Sequence, residues 1–147
     1  MSLPRLVAQQ NSSVTVVDSD CPDGTTTWVG ANFPTVKIVR VNDEGIFNLG
    51  RSQNKGFETA FTKWICLIDV EVVLKKDFVT YLAPLLCDDT YFLFEHNRET
   101  VGVFGSCVVP RTALKSIGCY DEVFEGYGGD ARDPYFRLER TGLQNDF

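Results

Sequence analysis

WICLIDVEV, residues 64–72, runs through five apolar residues into Asp69, skips Val70, and offers a second acid at Glu71. Such a run, bulky and β-branched, reads as a buried strand over 64–69. Side chains two apart on a strand share a side, so Asp69 and Glu71 are expected to project together from its end. Two carboxylates so placed can share one divalent cation and leave its remaining positions to phosphate oxygens. The plainer alternative is a strand exit whose acids only cap the next loop, the commoner fate of an isolated D-x-E.

Upstream, VTVVD (14–18) reads as a buried strand that also ends in an acid, Asp18, and SDCPDGTT follows as a turn. VKIVRV (36–41) is a second strand and NDEG a turn. Phe57, Ala60, Phe61 and Trp64 fall at i, i+3, i+4, i+7, which predicts a helix whose polar first turns are GRSQNKG. Downstream, Asp77 can cap a short helix with the face Phe78, Tyr81, Leu82 and Leu85, kinked or shortened by Pro84. TYFLFE (90–95) and VGVFGSCVV (101–109) read as strands, with Gly105 a bulge or a close approach. PRTALKSIG reads as a helix between Pro110 and Gly118. CYDEVFEGYGGDARD is a long acidic loop, and DPYFRLERTG closes as a helix capped by Asp133, with Pro134 in its first turn and Gly142 at its stop. Strands alternating with helices predict an α/β domain with a mixed, largely parallel sheet, its later strands pairing antiparallel. In such sheets ligands bind beyond the carboxyl ends of the strands, which would turn Asp18 and Asp69 toward one crevice.

At 147 residues the chain suits a single domain with a real core. Its net charge of −6 argues against a nucleic-acid partner, whose groove wants a basic excess. Five cysteines, an odd count without a CxxC, speak against structural zinc or a full disulfide framework and fit a reducing, cytoplasmic setting. Cys66 and Cys107 read as small buried hydrophobes. MSLPRLVAQQ lacks the apolar core of a signal peptide, and the apolar stretches are too short and charged for a transmembrane span. His96 reads as a surface residue. Tyr127, between glycines, either stacks on a ligand or anchors its loop by its ring.

Taken in order, VVDSDCPDGT, RSQNKG, WICLIDVEV and FGSCVVPRTALKSIGCYDEVFEGYGGDARDPYFRLERTG resemble the GT-A glycosyltransferases of the family 2 kind and the related galactosyltransferase C-terminal segment. The resemblance runs from about Leu3 to Gly142. Its most specific part is IGCYDE, the glycine-rich aromatic turn, the acids after it and the RL helix.

The resemblance implies a GT-A fold and a sugar transfer from a nucleotide-diphosphate sugar to an acceptor hydroxyl on a carbohydrate or other molecule, assisted by Mn²⁺ or Mg²⁺. It places Asp18 against the nucleotide base. The family's ARN-x-G segment lines the nucleotide; here Asn54 and Gly56 match and Gln53 replaces the arginine. Asp69 and Glu71 stand as the DxD pair on ribose and metal. Tyr127 holds the place of the aromatic near donor and acceptor. Asp130 matches the first of two loop acids, but Ala131 falls where the second, the usual general base, belongs; Asp130 or Asp133 is then left to serve. A family strand that precedes the VVD strand has no counterpart, which suggests a core truncated at its N-terminus, with a sheet edge beside Asp18 that a homo-oligomer could cover. Two readings follow: a transferase of weakened or lost turnover, or a degenerate domain that binds nucleotide or serves structurally. A nucleotidyltransferase ranks last, because no glycine-rich basic loop follows the first strand.

Overall fold

The chain, in a computed structural model, is described over residues 2–42, 47–94, 105–126 and 129–146. The NDEG turn, His96, Tyr127 and the first half of the 101–109 strand lie wholly or largely outside the described residues. The VVD run forms β1 (Thr15–Asp18), and the KIVR run forms β2 (Lys37–Arg40) parallel to it, with Asp18 opposite Arg40. A second sheet has the order β3-β5-β4-β6, from β3 (Trp64–Leu67), β4 (Thr90–Leu93), β5 (Cys107–Pro110) and β6 (Gln144–Asp146). Its centre is antiparallel and its β4–β6 flank parallel, so the sheet is mixed. Among the described residues, β1 and β3 each pair along one edge only.

Helices flank both sheets: α1 (Leu3–Val7), α2 (Thr25–Asn32), α3 (Leu49–Glu58), α4 (Phe78–Leu82), α5 (Arg111–Ser116) and α6 (Asp133–Arg140). The larger core gathers Phe57 of α3, Ile65 and Leu67 of β3, Tyr91, Cys107 and Val109 of the sheet, Leu114 of α5, and Tyr135 and Leu138 of α6. A smaller cluster of Leu3, Val29 and Val36 lies with the first sheet.

Several elements depart from the sequence reading. The helix expected from Phe57, Ala60, Phe61 and Trp64 lies earlier: α3 ends at Glu58, Phe61 is 84 % exposed, and Trp64 opens β3. The buried positions of α3 are Gly50, Ser52 and Phe57. Small and polar residues let it approach backbone closely, since a Cβ at Gly50 would lie 3.0 Å from the Asp121 carbonyl oxygen. An apolar period therefore does not mark its inner face. Helix α2 carries no helical signal in sequence within and beyond SDCPDGTT, because threonines and glycine are weak helix formers and only Val29 of it is buried. Strand β6 likewise carries no strand signal; it is three residues of polar sequence.

Helix α4 fully buries none of its residues; of the expected face Tyr81 and Leu85 are exposed, while Phe78 and Leu82 are half-buried, Phe78 against Phe94. Asp77 precedes it without a side-chain cap bond, and at Pro84 the chain continues as a short 3-10 turn. Cys66 is exposed rather than buried, since β3 turns Ile65 and Leu67 inward and Cys66 outward.

Candidate functional site

Strand β3 ends at Leu67, two residues short of Asp69. Residues 69–72 form a turn closed by the Val72 amide donating to the Asp69 carbonyl (3.0 Å). The proximity of Asp69 to Glu71 therefore comes from a turn and not from the pleat of a strand, a correction to the expected geometry. Asp69 is half-buried and Glu71 exposed.

A loop before β5 seats Asp69. The Gly105 amide donates to its Oδ2 (3.2 Å), and its own amide donates to Oγ of the fully buried Ser106 (3.0 Å). Gly105 is the expected close approach, for a Cβ there would stand 2.8 Å from Asp69 Oδ2. Burial, and next the negative charge of Glu71, push the Asp69 carboxyl above its ordinary range; the Gly105 amide and Ser106 hydroxyl pull the other way and lose. Like charges this close repel, and a cation between them would remove the repulsion. The donor pair is oxygen-only, which suits Mg²⁺ or Mn²⁺. Among the described residues no cluster of three or more such ligand groups occurs, so Asp69 and Glu71 alone could not fill a coordination shell.

The raised Asp69 pKa has a consequence for stability. A carboxyl with a folded pKa above its unfolded value is favoured folded at low pH, and that advantage is lost as pH rises through the folded pKa. With metal chelated, Asp69→Asn is therefore expected to raise Tm at neutral pH, the difference shrinking below the ordinary carboxylate range. Thermal melts of both proteins from acid to neutral pH in EDTA check this. A lower Tm for the variant at neutral pH would contradict it.

Asp130 is half-buried in the turn before α6, where the amides of Arg132 and Asp133 both donate to the Gly129 carbonyl (3.1 and 3.0 Å). Its charge reaches Tyr120, whose hydroxyl pKa is pushed well up, mainly by burial and then by Cys107, Asp69 and Asp130 among its neighbours. Asp69 and Asp130 thus act on one buried tyrosine.

The other expected site residues are engaged locally. Asp18 is 3 % exposed, with Oδ1 accepting from the Cys21 amide (2.9 Å) and Oδ2 from the Thr26 hydroxyl. Its own turn closes it off near the surface, so desolvation is small. The Thr26 hydrogen bond, then the Cys21 one, hold its carboxyl below the ordinary range. Asn54 donates to the Tyr120 carbonyl (3.0 Å) and Glu122 Oε1 (2.8 Å), and accepts from the Tyr120 amide (2.9 Å). It clasps the acidic loop to α3. Gln53 is half-buried on the same helix.

Asp133 does not cap α6; it is the first residue of that helix, and Arg132 holds the cap position. Its Oδ2 is bound by Arg137, with Nε at 2.7 Å. Arg137 also donates to the carbonyls of Ile117 (2.5 Å) and Cys119 (2.6 Å), which ties α6 to the end of α5.

Sequence reasoning missed Asn48, Ser106, Tyr120, Tyr135 and Arg137. Asn48 caps α3 by accepting from the Arg51 amide (2.8 Å), and it donates to the carbonyls of Glu122 (2.8 Å) and Phe124 (3.2 Å). An Asn just before a helix is a legible cap signal; its second grip, on a loop more than seventy residues away, is not.

No protein-family model and no curated protein matches this chain. Solved structures do. A mannosyltransferase from Pyrobaculum calidifontis, in complex with GDP-Man and Mn²⁺, superposes with a TM-score of 0.75 at 16 % identity, over 98 % of this chain and 48 % of that one. The chain has a GT-A fold. The catalytic domain of Drosophila β1,4-galactosyltransferase 7, in complex with xylobiose, superposes at 0.61 with 18 % identity, over 90 % of this chain and 62 % of that one. A mutant of the same enzyme with manganese, UDP-Gal and xylobiose gives 0.59 at 17 % identity, over 91 % of this chain and 64 % of that one. This GT-A chain spans about half to two thirds of the length of these neighbours. No helix among its described residues is long and apolar enough to cross a membrane.

Proposed function

We propose that this protein transfers a sugar from a nucleotide-diphosphate sugar to an acceptor hydroxyl, with Asp69 and Glu71 holding a divalent cation. The observation that carries this reading is the repelling carboxylate pair in the turn after β3, one member seated by Gly105 and Ser106. The shared fold supports it, as do the GDP-Man, UDP-Gal and manganese bound by the neighbours. A bound Mn²⁺ or Mg²⁺ would neutralise charge developing on the departing diphosphate. Asp130 takes the acceptor's proton on a carboxylate oxygen. Asp133 serves α6, paired with Arg137. Asn54 fixes the loop that leads to Asp130. Asp18 and Gln53 border the nucleotide side; the role the resemblance gives Tyr127, near donor and acceptor, falls outside the described residues. A cytoplasmic setting and a homo-oligomer belong to the same reading.

A second reading, a degenerate domain that binds nucleotide without turnover, is favoured by Ala131 and by the local engagement of Asp18. Thermal-shift titration with UDP, GDP and their sugars, with and without Mn²⁺, tests the donor site. A ligand at a hundred times its Kd stabilises the folded state by about 3 kcal/mol, which raises Tm by about 5–10 °C in a domain of this size. The shift is expected to need Mn²⁺ and to vanish in Asp69→Ala. No shift with any nucleotide, from a folded protein, would overturn both readings of the site.

A further inference from the structure

Helix α6 reaches the seat of Asp69 through one side chain. Tyr135 is 7 % exposed, and its ring stacks on Tyr91 with centroids 6.2 Å apart and planes 22° apart. Its hydroxyl donates to the Gly105 carbonyl oxygen (3.1 Å). Gly105 thus has its carbonyl held from α6 while its amide holds Asp69 Oδ2 (3.2 Å). There is little slack in this arrangement, because Gly105 stands too close to the Asp69 carboxylate to admit a Cβ. The first turn of α6 meanwhile closes on Gly129, next to Asp130. One short helix therefore carries the Asp130 turn at its start and grips the Asp69 seat one turn later.

We propose that Tyr135 is a positioning residue: its hydroxyl fixes Gly105, and through the Gly105 amide sets the Asp69 carboxylate relative to Glu71, so that the helix following the Asp130 turn also shapes the cation-binding pair. The inference rests on the reading of Asp69 and Glu71 as that pair. A buried hydroxyl wanting a partner would be satisfied by any nearby carbonyl. What distinguishes this contact is that the carbonyl belongs to the residue that seats Asp69. Tyr91, stacked on the same ring, sends its hydroxyl to Glu139 Oε1 (3.2 Å) and not to Gly105.

Tyr135→Phe and Tyr91→Phe separate the positioning role from general packing. Both keep their rings, so the stack survives and the chain folds. The first readout, in the metal-free protein, is hydrogen exchange of the Gly105 amide by NMR. The second is affinity for Mn²⁺ alone, followed by electron paramagnetic resonance of the free ion. Loss of one hydrogen bond loosens the position it holds by about fivefold. Tyr135→Phe is expected to speed Gly105 exchange and weaken Mn²⁺ binding by about that factor, with the Val108 amide unchanged; Tyr91→Phe is expected to leave both readouts at wild-type values. Unchanged Gly105 exchange in Tyr135→Phe overturns the inference, as does an equal change in both variants. If wild-type protein binds no Mn²⁺, the cation-site reading fails, and with it the link to Glu71; Gly105 exchange then decides alone whether Tyr135 positions Asp69.

Discussion

Asp130→Asn is expected to lower kcat by about two to four orders of magnitude, the usual weight of a general base, while the KM for the donor stays near its wild-type value. The turnover to follow is nucleoside-diphosphate release from whichever donor the thermal-shift titration selects. The expectation follows from which acid is engaged elsewhere. Of the two acids in GGDARD, Asp133 is bound by Arg137 inside α6, whereas Asp130 lies in the preceding turn and acts on the same buried tyrosine as Asp69. Asparagine keeps the shape and removes the proton acceptor, so a loss confined to kcat marks proton transfer and a loss in both parameters marks a disturbed loop. Ala131→Asp completes the test. If Asp130 serves as base, a carboxylate at 131 changes kcat by no more than about threefold. A gain of about a hundredfold or more would move the base to position 131 and make the present site a decayed one.

Arg137→Ala is expected to be strongly destabilising, costing about 2–4 kcal/mol for the loss of a half-buried ion pair together with two charge-assisted hydrogen bonds. For a domain of this size that lowers Tm by about 10 °C. Arg137 and Asp133 are only 26 % and 24 % exposed, and their ion pair closes at 2.5 Å. Truncation strands the carboxylate and frees the carbonyls of Ile117 and Cys119 at the end of α5. Asp133→Asn is expected to be milder, since the amide oxygen still accepts from the guanidinium, which keeps its bonds to the Ile117 and Cys119 carbonyls. Thermal melts of the two variants make the comparison. A Tm loss under about 3 °C for Arg137→Ala would show the pair to be solvated and nearly neutral in energy, as surface pairs are.

Much of the fold was legible. VTVVD, VKIVRV and WICLID are runs of bulky, β-branched residues, and such a run reports a strand from its composition alone; burial it did not report, since the apolar residues of β1 and β2 are only half-buried. PRTALKSIG and DPYFRLERTG carry a proline at or near one end and a glycine beyond the other, which mark boundaries by backbone geometry. Where the reading failed, the inner face was not apolar. Helix α3 turns Gly50 and Ser52 inward, and α2 is built on threonines, so hydrophobic period had nothing to detect. Helix α4 failed the opposite way, with an apolar face that meets almost no core.

By itself the sequence determined that two acids stand together after a buried run, that Gly105 marks a bulge or a close approach, and that alanine stands beside Asp130 in the GGDARD loop. Each is a local property, set by side-chain chemistry and a separation of one to a few residues. Only the tertiary structure decided what those residues do. It closed Asp69 and Glu71 into a turn, identified the close approach of Gly105 as the Asp69 carboxylate, gave Asp133 to Arg137 and Asn54 to the acidic loop, and set Tyr135 on the Gly105 carbonyl. These pairings join residues up to 68 positions apart. A carboxylate or amide is equally suited to cap, clamp or catalyse until packing fixes which donor stands within three ångströms of it.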